Sequence, residues 1–176
     1  IHAITVIVRT HSLFRSVRMS VSFTPAGYHT ITPYLIVRGA AAAIDFYKSI
    51  LGATEIMRMP GPGGSVMHAE LKIGDSNIML GEENPDCGGV GPQSLGGSPV
   101  GLCVYYADVD ARFAAAVAAG AKVVKDVQNQ FYGDRSGTVT DPFGHNWTLS
   151  THIEDVSEEE MGRRFEAIMK AVPAAA

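Results

Sequence analysis

The chain is poor in several things, and each shortage closes off a class of protein. It has only 2 cysteines in 176 residues, Cys87 and Cys103, too few for a disulfide scaffold and without the paired spacing of a zinc knuckle. A reducing cytoplasm is therefore the expected compartment. No apolar run approaches the roughly 18 residues of a membrane span, so no membrane partner is expected. Dense Lys/Arg runs are missing and the formal net charge is −4, which speaks against nucleic acid, whose phosphates demand a basic footprint. Carboxylates are missing from the start of the chain: the first is Asp45, whereas residues 1–27 carry Arg9, Arg15 and Arg18. A basic, acid-free start imitates a targeting peptide. The stretch MSVSFTPAGYHT from Met19 has the look of a natural protein start, so residues 1–27 are set apart as an N-terminal extension. Within it ITVIVRT is β-branched enough to add a strand.

What is present is enough apolar sequence for a real core, 46% of residues against 18% charged. It is organised as a repeat. YLIVRGAAAAIDFYKSILGATEIMRM and CVYYADVDARFAAAVAAGAKVVKDV both read strand, Ala-rich helix, glycine stop, strand, and the stops, Gly52 and Gly120, are 68 residues apart. SNIMLGEE and HNWTLSTH each follow a turn and read as a last strand, offset by about 69. The expected fold class is α+β: two tandem βαβββ modules with helices outside and strands curving around a cavity. The modules span residues 28–84 and 100–153, joined by a Gly/Pro-rich linker at 85–99 and followed by a helical tail at 154–176, one structural domain in all. GPGG at 61–64 is expected as a hairpin turn. The linker glycines lack the Lys-Ser/Thr and the strand-to-helix setting of a phosphate loop.

Alternation along the strands separates a helix side from a second face. Ile31, Leu35, Val37, Met67, Ala69, Leu71, Ile73, Ile78, Leu80, Leu102, Val104, Tyr106, Trp147 and Leu149 are expected to face the helices. The second face then holds Thr32, Tyr34, His68, Glu70, Lys72, Asn77, Met79, Gly101, Cys103, Tyr105, Asn146, Thr148 and Ser150. That mixture is too apolar for plain solvent and too polar for a sealed core, and suits a ligand pocket. Thr32, Tyr34, Met79, Cys103, Tyr105 and Thr148 are the expected ligand-binding residues.

The segments TPYLIVRGAAAAIDFYKSILGA, MHAELKIGDSNIMLGEE, SLGGSPVGLCVYYADVDARFAAAVAAGA and QFYGDRSGTVTDPFGHNWTLSTHIEDVSEEEM carry a resemblance. Across residues 28–161 the chain resembles the vicinal oxygen chelate superfamily, the glyoxalase and bleomycin-resistance fold, and within it the PhnB-like, metal-divergent branch. In metal-using members the ligands, mostly His and Glu, sit on the first and last strands of each module. The resemblance carries those places to Thr32, Met79, Gly101 and Thr148. None suits zinc, nickel or iron, which take imidazole, carboxylate or thiolate, so neither metal nor other cofactor is expected.

The strongest chemical candidates are His68 and Glu70, two residues apart on one strand face. A carboxylate beside an imidazole can set its tautomer or raise its pKa, the arrangement of a general base, or the two can be a polar pair on a wall. His145, after the DPFG turn, and His152, at the strand end, are expected to be structural. Arg135 could anchor an anion or pair with Asp134 or Asp141. Three functions remain open: a metal-independent small-molecule binder working as a homodimer; a lyase, isomerase or dioxygenase-like enzyme of the same superfamily; and a protein-interaction module. A bulky cationic ligand would ask for walls such as Tyr34, Tyr105, Tyr132 and Glu70.

Overall fold

A computed structural model describes residues 21–171; the strand expected from ITVIVRT lies outside the described residues. The first module runs β1 (Tyr34–Val37), α1 (Ala40–Ile50), β2 (Thr54–Pro60), β3 (Val66–Ile73) and β4 (Ser76–Glu82). The connection holds a 3-10 turn at Pro85–Cys87 and the short α2 (Pro92–Leu95). The second module repeats the order with β5 (Gly101–Tyr105), α3 (Val109–Ala118), β6 (Lys122–Asn129), β7 (Asp134–Thr140) and β8 (Asn146–His152), and α4 (Glu158–Ala171) follows. The sheets are ordered β1-β4-β3-β2 and β5-β8-β7-β6. Each first strand lies parallel to its module's last strand, with Tyr34 beside Met79 and Cys103 beside Thr148. The two modules are tandem βαβββ units in an α+β chain.

The helices form where alanine, the best helix former, leaves room for an apolar stripe. Ala40, Ala43, Ile44 and Tyr47 are buried along α1, and Val109, Phe113 and Ala116 along α3. Both helices are followed by a glycine at positive φ, Gly52 at 69° and Gly120 at 98°, a conformation other residues adopt only with strain. Their starts are held by the last strands. The Glu82 carboxylate accepts from the backbone N–H groups of Gly39 and Ala40, and the Thr151 hydroxyl accepts from the N–H of Val109. Glu82 and Thr151 are 69 residues apart, so the repeat uses one position in each half to satisfy helix donors that would otherwise lack a partner.

Two expected inward residues lie elsewhere. Ile31 precedes β1 and is 83% exposed. Met67 is also exposed, because pairing slips between Met59–His68 and Pro60–Val66 and turns Val66 inward in its place. Asn77, expected on the second face, is buried beneath the residues preceding β1, and its Nδ2 donates to the Gly27 carbonyl.

One core spans both modules. At its centre Asp141, in the β7–β8 turn, is buried and accepts from Tyr47 Oη and Trp147 Nε1, both at 2.8 Å, and from the N–H groups of Phe143 and His145. Tyr47 belongs to the first module and the others to the second. Burial, with the Asp141 carboxylate beside it, pushes the Tyr47 phenol well above its usual pKa. Tyr106 Oη and Arg112 Nη1 donate to the carbonyls of Leu51 and Ile50 at the end of α1, adding two more ties across the junction. Asp141→Ala leaves the Tyr47 hydroxyl and the Trp147 N–H buried without an acceptor, and should cost about 3–5 kcal/mol in urea unfolding. A loss below about 1 kcal/mol would mean that the carboxylate does not hold the modules together.

Candidate functional site

The faces opposite the helices are largely uncovered, leaving Tyr34, Met57, Met59 and Tyr105 exposed. On the first sheet, strand register gathers one cluster. Met79 lies between Tyr34 and Glu70, while Met57 and Met59 pair with Glu70 and His68 and share their face. His68 Nδ1 is 3.1 Å from Tyr34 Oη, and His68 Nε2 is 3.3 Å from Glu70 Oε1. Tyr28 donates its hydroxyl to the other Glu70 oxygen. That bond, ahead of the His68 contact, holds the Glu70 carboxyl below its usual range, and the same bond raises the Tyr28 phenol. An ionised carboxylate only accepts. Nε2 of His68 therefore carries the proton given to Glu70, and Nδ1 accepts from Tyr34 whenever the ring holds a single proton. Both ring nitrogens are engaged, so His68 acts as a base only if the Tyr34 hydroxyl leaves. Gly81 makes room for that hydroxyl: a Cβ there would meet Tyr34 Oη at 3.0 Å and the Met67 carbonyl oxygen at 2.6 Å.

The second sheet carries a cluster that the sequence expectations missed. Tyr105 Oη donates to Asp134 Oδ2 at 2.9 Å, His152 Nδ1 lies 2.8 Å from Asp134 Oδ1, and His152 Nε2 lies 3.1 Å from Asp155 Oδ1. Asp134 is buried, His152 is half exposed and Asp155 is fully exposed. With a carboxylate on each ring nitrogen the imidazolium is favoured; its pKa is raised, first by Asp134 and then by Asp155. The Tyr105 phenol is pushed up to about 12, chiefly by its bond to Asp134. Farther along the face, Thr138 and Thr148 hydroxyls meet at 3.0 Å and Cys103 Sγ lies 3.6 Å from Ser150 Oγ. The alternation of Asp134, Ser136 and Thr138 in DRSGTVT is the sequence signal for this face.

The expected ligand-binding residues thus fall into two groups. Tyr34 and Met79 join His68 and Glu70 on the first sheet; Cys103, Tyr105 and Thr148 join Asp134 and His152 on the second. Thr32 lies ahead of β1, half-buried. A cleft of about 620 Å³ opens at the module junction, and of the expected residues takes in Cys103 and Tyr105. A hollow of about 350 Å³ beneath residues 90–100 includes Tyr34. His145 is buried, with Nε2 3.1 Å from the Ile36 carbonyl of the first module. Arg135 pairs with neither Asp134 nor Asp141: it makes a two-pronged contact with Asp110 at 2.6 and 2.7 Å, because β7 runs beneath the start of α3.

The places that the resemblance assigns to metal ligands hold a hydroxyl, a thioether, a glycine and a second hydroxyl, at Thr32, Met79, Gly101 and Thr148. This donor set does not fit a zinc, nickel or iron ion. Among the described residues no three His, Cys, Asp or Glu side chains are gathered for a metal elsewhere. Nor is any described helix long and apolar enough to cross a membrane.

Residues 27–149 match the Glyoxalase/Bleomycin resistance protein/Dioxygenase superfamily, and the chain belongs to that family. An uncharacterized protein of Mycobacterium tuberculosis is 43% identical over 146 residues, which cover 81% of this chain and 84% of that one. The crystal structure of TioX from Micromonospora sp. ML1 superposes with a TM-score of 0.56 at 26% identity, over 70% of this chain and 98% of TioX. A PhnB protein from Bacillus cereus shares the fold at a TM-score of 0.56 and 19% identity, over 70% of this chain and 99% of its own.

A raised His152 pKa means that folding stabilises the charged ring. Its contribution is complete below the unfolded-state value of about 6.5 and fades as pH rises through the higher folded value. The stability gap between the parent chain and His152→Ala should shrink from pH 5.5 to pH 9, and the ring protons should titrate above the ordinary range until Asp134→Asn brings them down. A gap that does not change with pH would contradict the charged pairing.

Proposed function

We propose that the protein binds a small molecule on the uncovered sheet faces, without the metal centre of its metal-using relatives, as a homodimer in a reducing cytoplasm. The supporting observation is the first-sheet cluster: at the metal-ligand place Met79 stands between Tyr34 and Glu70, and Tyr34, His68, Glu70 and Tyr28 are linked by hydrogen bonds. In one chain these faces are open, and a second copy would cover apolar groups such as Met59 and Tyr105 that water otherwise meets. Both cysteines are free thiols.

Thioether and phenol side chains around the ionised Glu70 favour an apolar cation, held by the ring faces and the carboxylate. Calorimetric titration with tetraphenylphosphonium should show saturable binding, at least tenfold weaker in Tyr34→Ala and in Glu70→Gln. Sedimentation over a range of concentrations should show a dimer. Absence of any binding, together with a monomer at every concentration, would overturn the proposal.

The second reading is an enzyme, a lyase or isomerase using His68 and Glu70 as an acid–base pair or a dioxygenase-like member of the superfamily. It is favoured by the hydrogen-bonded row Tyr34, His68 and Glu70, which places an imidazole beside a carboxylate. Metal content of protein purified without chelator, with melting scanned against nickel, zinc, manganese and iron, separates the two. Near-stoichiometric metal, or a rise in Tm with one ion, would move the enzyme reading to first place.

A further inference from the structure

The cleft at the module junction is a different place from the cluster on the first sheet. It meets the second uncovered face only along β5, at Cys103 and Tyr105; its walls are mostly residues from the helix side, including Leu51, Ile73, Ile78, Leu102, Val104 and Trp147. Its volume of about 620 Å³ lies in the range of roughly 300–1,000 Å³ usual for small-molecule pockets.

Polar groups stand at two separate stations on these walls. One is Arg112, half-buried, with its guanidinium carbon 4.8 Å from the Tyr106 ring centroid and Nη1 on the Ile50 carbonyl at 2.7 Å. It makes no ion pair among the described residues, although a guanidinium has five N–H donors in a planar fork suited to a carboxylate. The other is Asn77, 6% exposed, whose Nδ2 is taken by Gly27 and whose Oδ1 is the one buried side-chain oxygen or nitrogen without a partner among the described residues. A buried acceptor without a donor is costly. Asp75 and Ser76 adjoin Asn77 at the β3–β4 turn, where the Asp75 carboxylate repels an anion and attracts a donor.

We infer that this cleft is a second binding site, for a small aryl or branched organic acid that bears an anion at one end and a hydrogen-bond donor at the other. The anion pairs with Arg112, the apolar body lies along Leu102, Val104 and Trp147, and the donor end turns to the Asn77 and Asp75 side. The site goes beyond the reading of the uncovered faces, whose proposed ligand is a cation.

Trp147 is the chain's only tryptophan and lines the cleft, so its emission reports occupancy directly. Titration with 4-hydroxyphenylacetate should change that emission saturably. Phenylacetate, lacking the donor, should bind more weakly, and tyramine, with a cation replacing the anion, should give no saturable change. Arg112→Gln should weaken binding at least tenfold. Val104→Phe, which fills the cleft and leaves its charges alone, should abolish binding while circular dichroism stays unaltered. If Arg112→Gln does not fold, Val104→Phe and the tyramine comparison decide. No saturable change in the parent chain, an equal response to tyramine, or undiminished binding by folded Val104→Phe would overturn the inference.

Discussion

The four hydrogen bonds received by the Asp141 carboxylate are the constraint on which the arrangement of the two modules depends. A buried carboxylate is tolerable only when its lone pairs are met, and here a helix of one module and a turn and strand of the other supply the donors together. Tyr47 and Trp147 pack with ring centroids 5.5 Å apart, so the polar bonds and the apolar contact fix the same geometry. The Tyr106 and Arg112 bonds to the end of α1 set the width of the cleft beside them. With the helix sides of both sheets committed to the junction, the opposite faces remain free to carry chemistry.

Those faces are unlike each other. The first is thioether-rich, around a histidine whose two ring nitrogens are both hydrogen-bonded. The second is richer in hydroxyl groups and ends in a histidine held between two carboxylates, one buried and the other fully exposed. A duplicated framework has kept its caps, turns and register while its side chains diverged. Met79 and Thr148 occupy equivalent places, 69 residues apart, yet one sits beside a carboxylate and the other beside a hydroxyl.

The framework was legible because its signals are local. Gly52 and Gly120 mark where helices must stop, and alternation in NWTLST assigns Trp147 and Leu149 correctly to the core. Ile31 and Met67 escaped, because one lies ahead of its strand and the other at a slip in pairing that strict alternation cannot contain. The first-sheet pair was visible as HAE; its partners Tyr28 and Tyr34 come from about forty residues upstream. Asp134 and His152 are 18 residues apart and meet only because β7 and β8 are antiparallel neighbours. Of the two acids suggested for Arg135, neither is its partner: Asp110 arrives through the packing of α3, not through proximity in the chain.

The helix caps bear on how the chain reaches this state. Because Glu82 and Thr151 sit on the strand that each module completes last, their contacts with the helix starts form only when the parallel pairing of first and last strands has closed a loop of some forty residues; α3 also has a local cap, the Asp108 carboxylate accepting from the Ala111 N–H at 3.0 Å, whereas Gly39 gives α1 none. Closing such loops sets a high contact order and a slow search. The start of α1 is therefore among the last parts of its module to become secure, whereas the start of α3 carries a cap of its own that does not wait for its sheet to close.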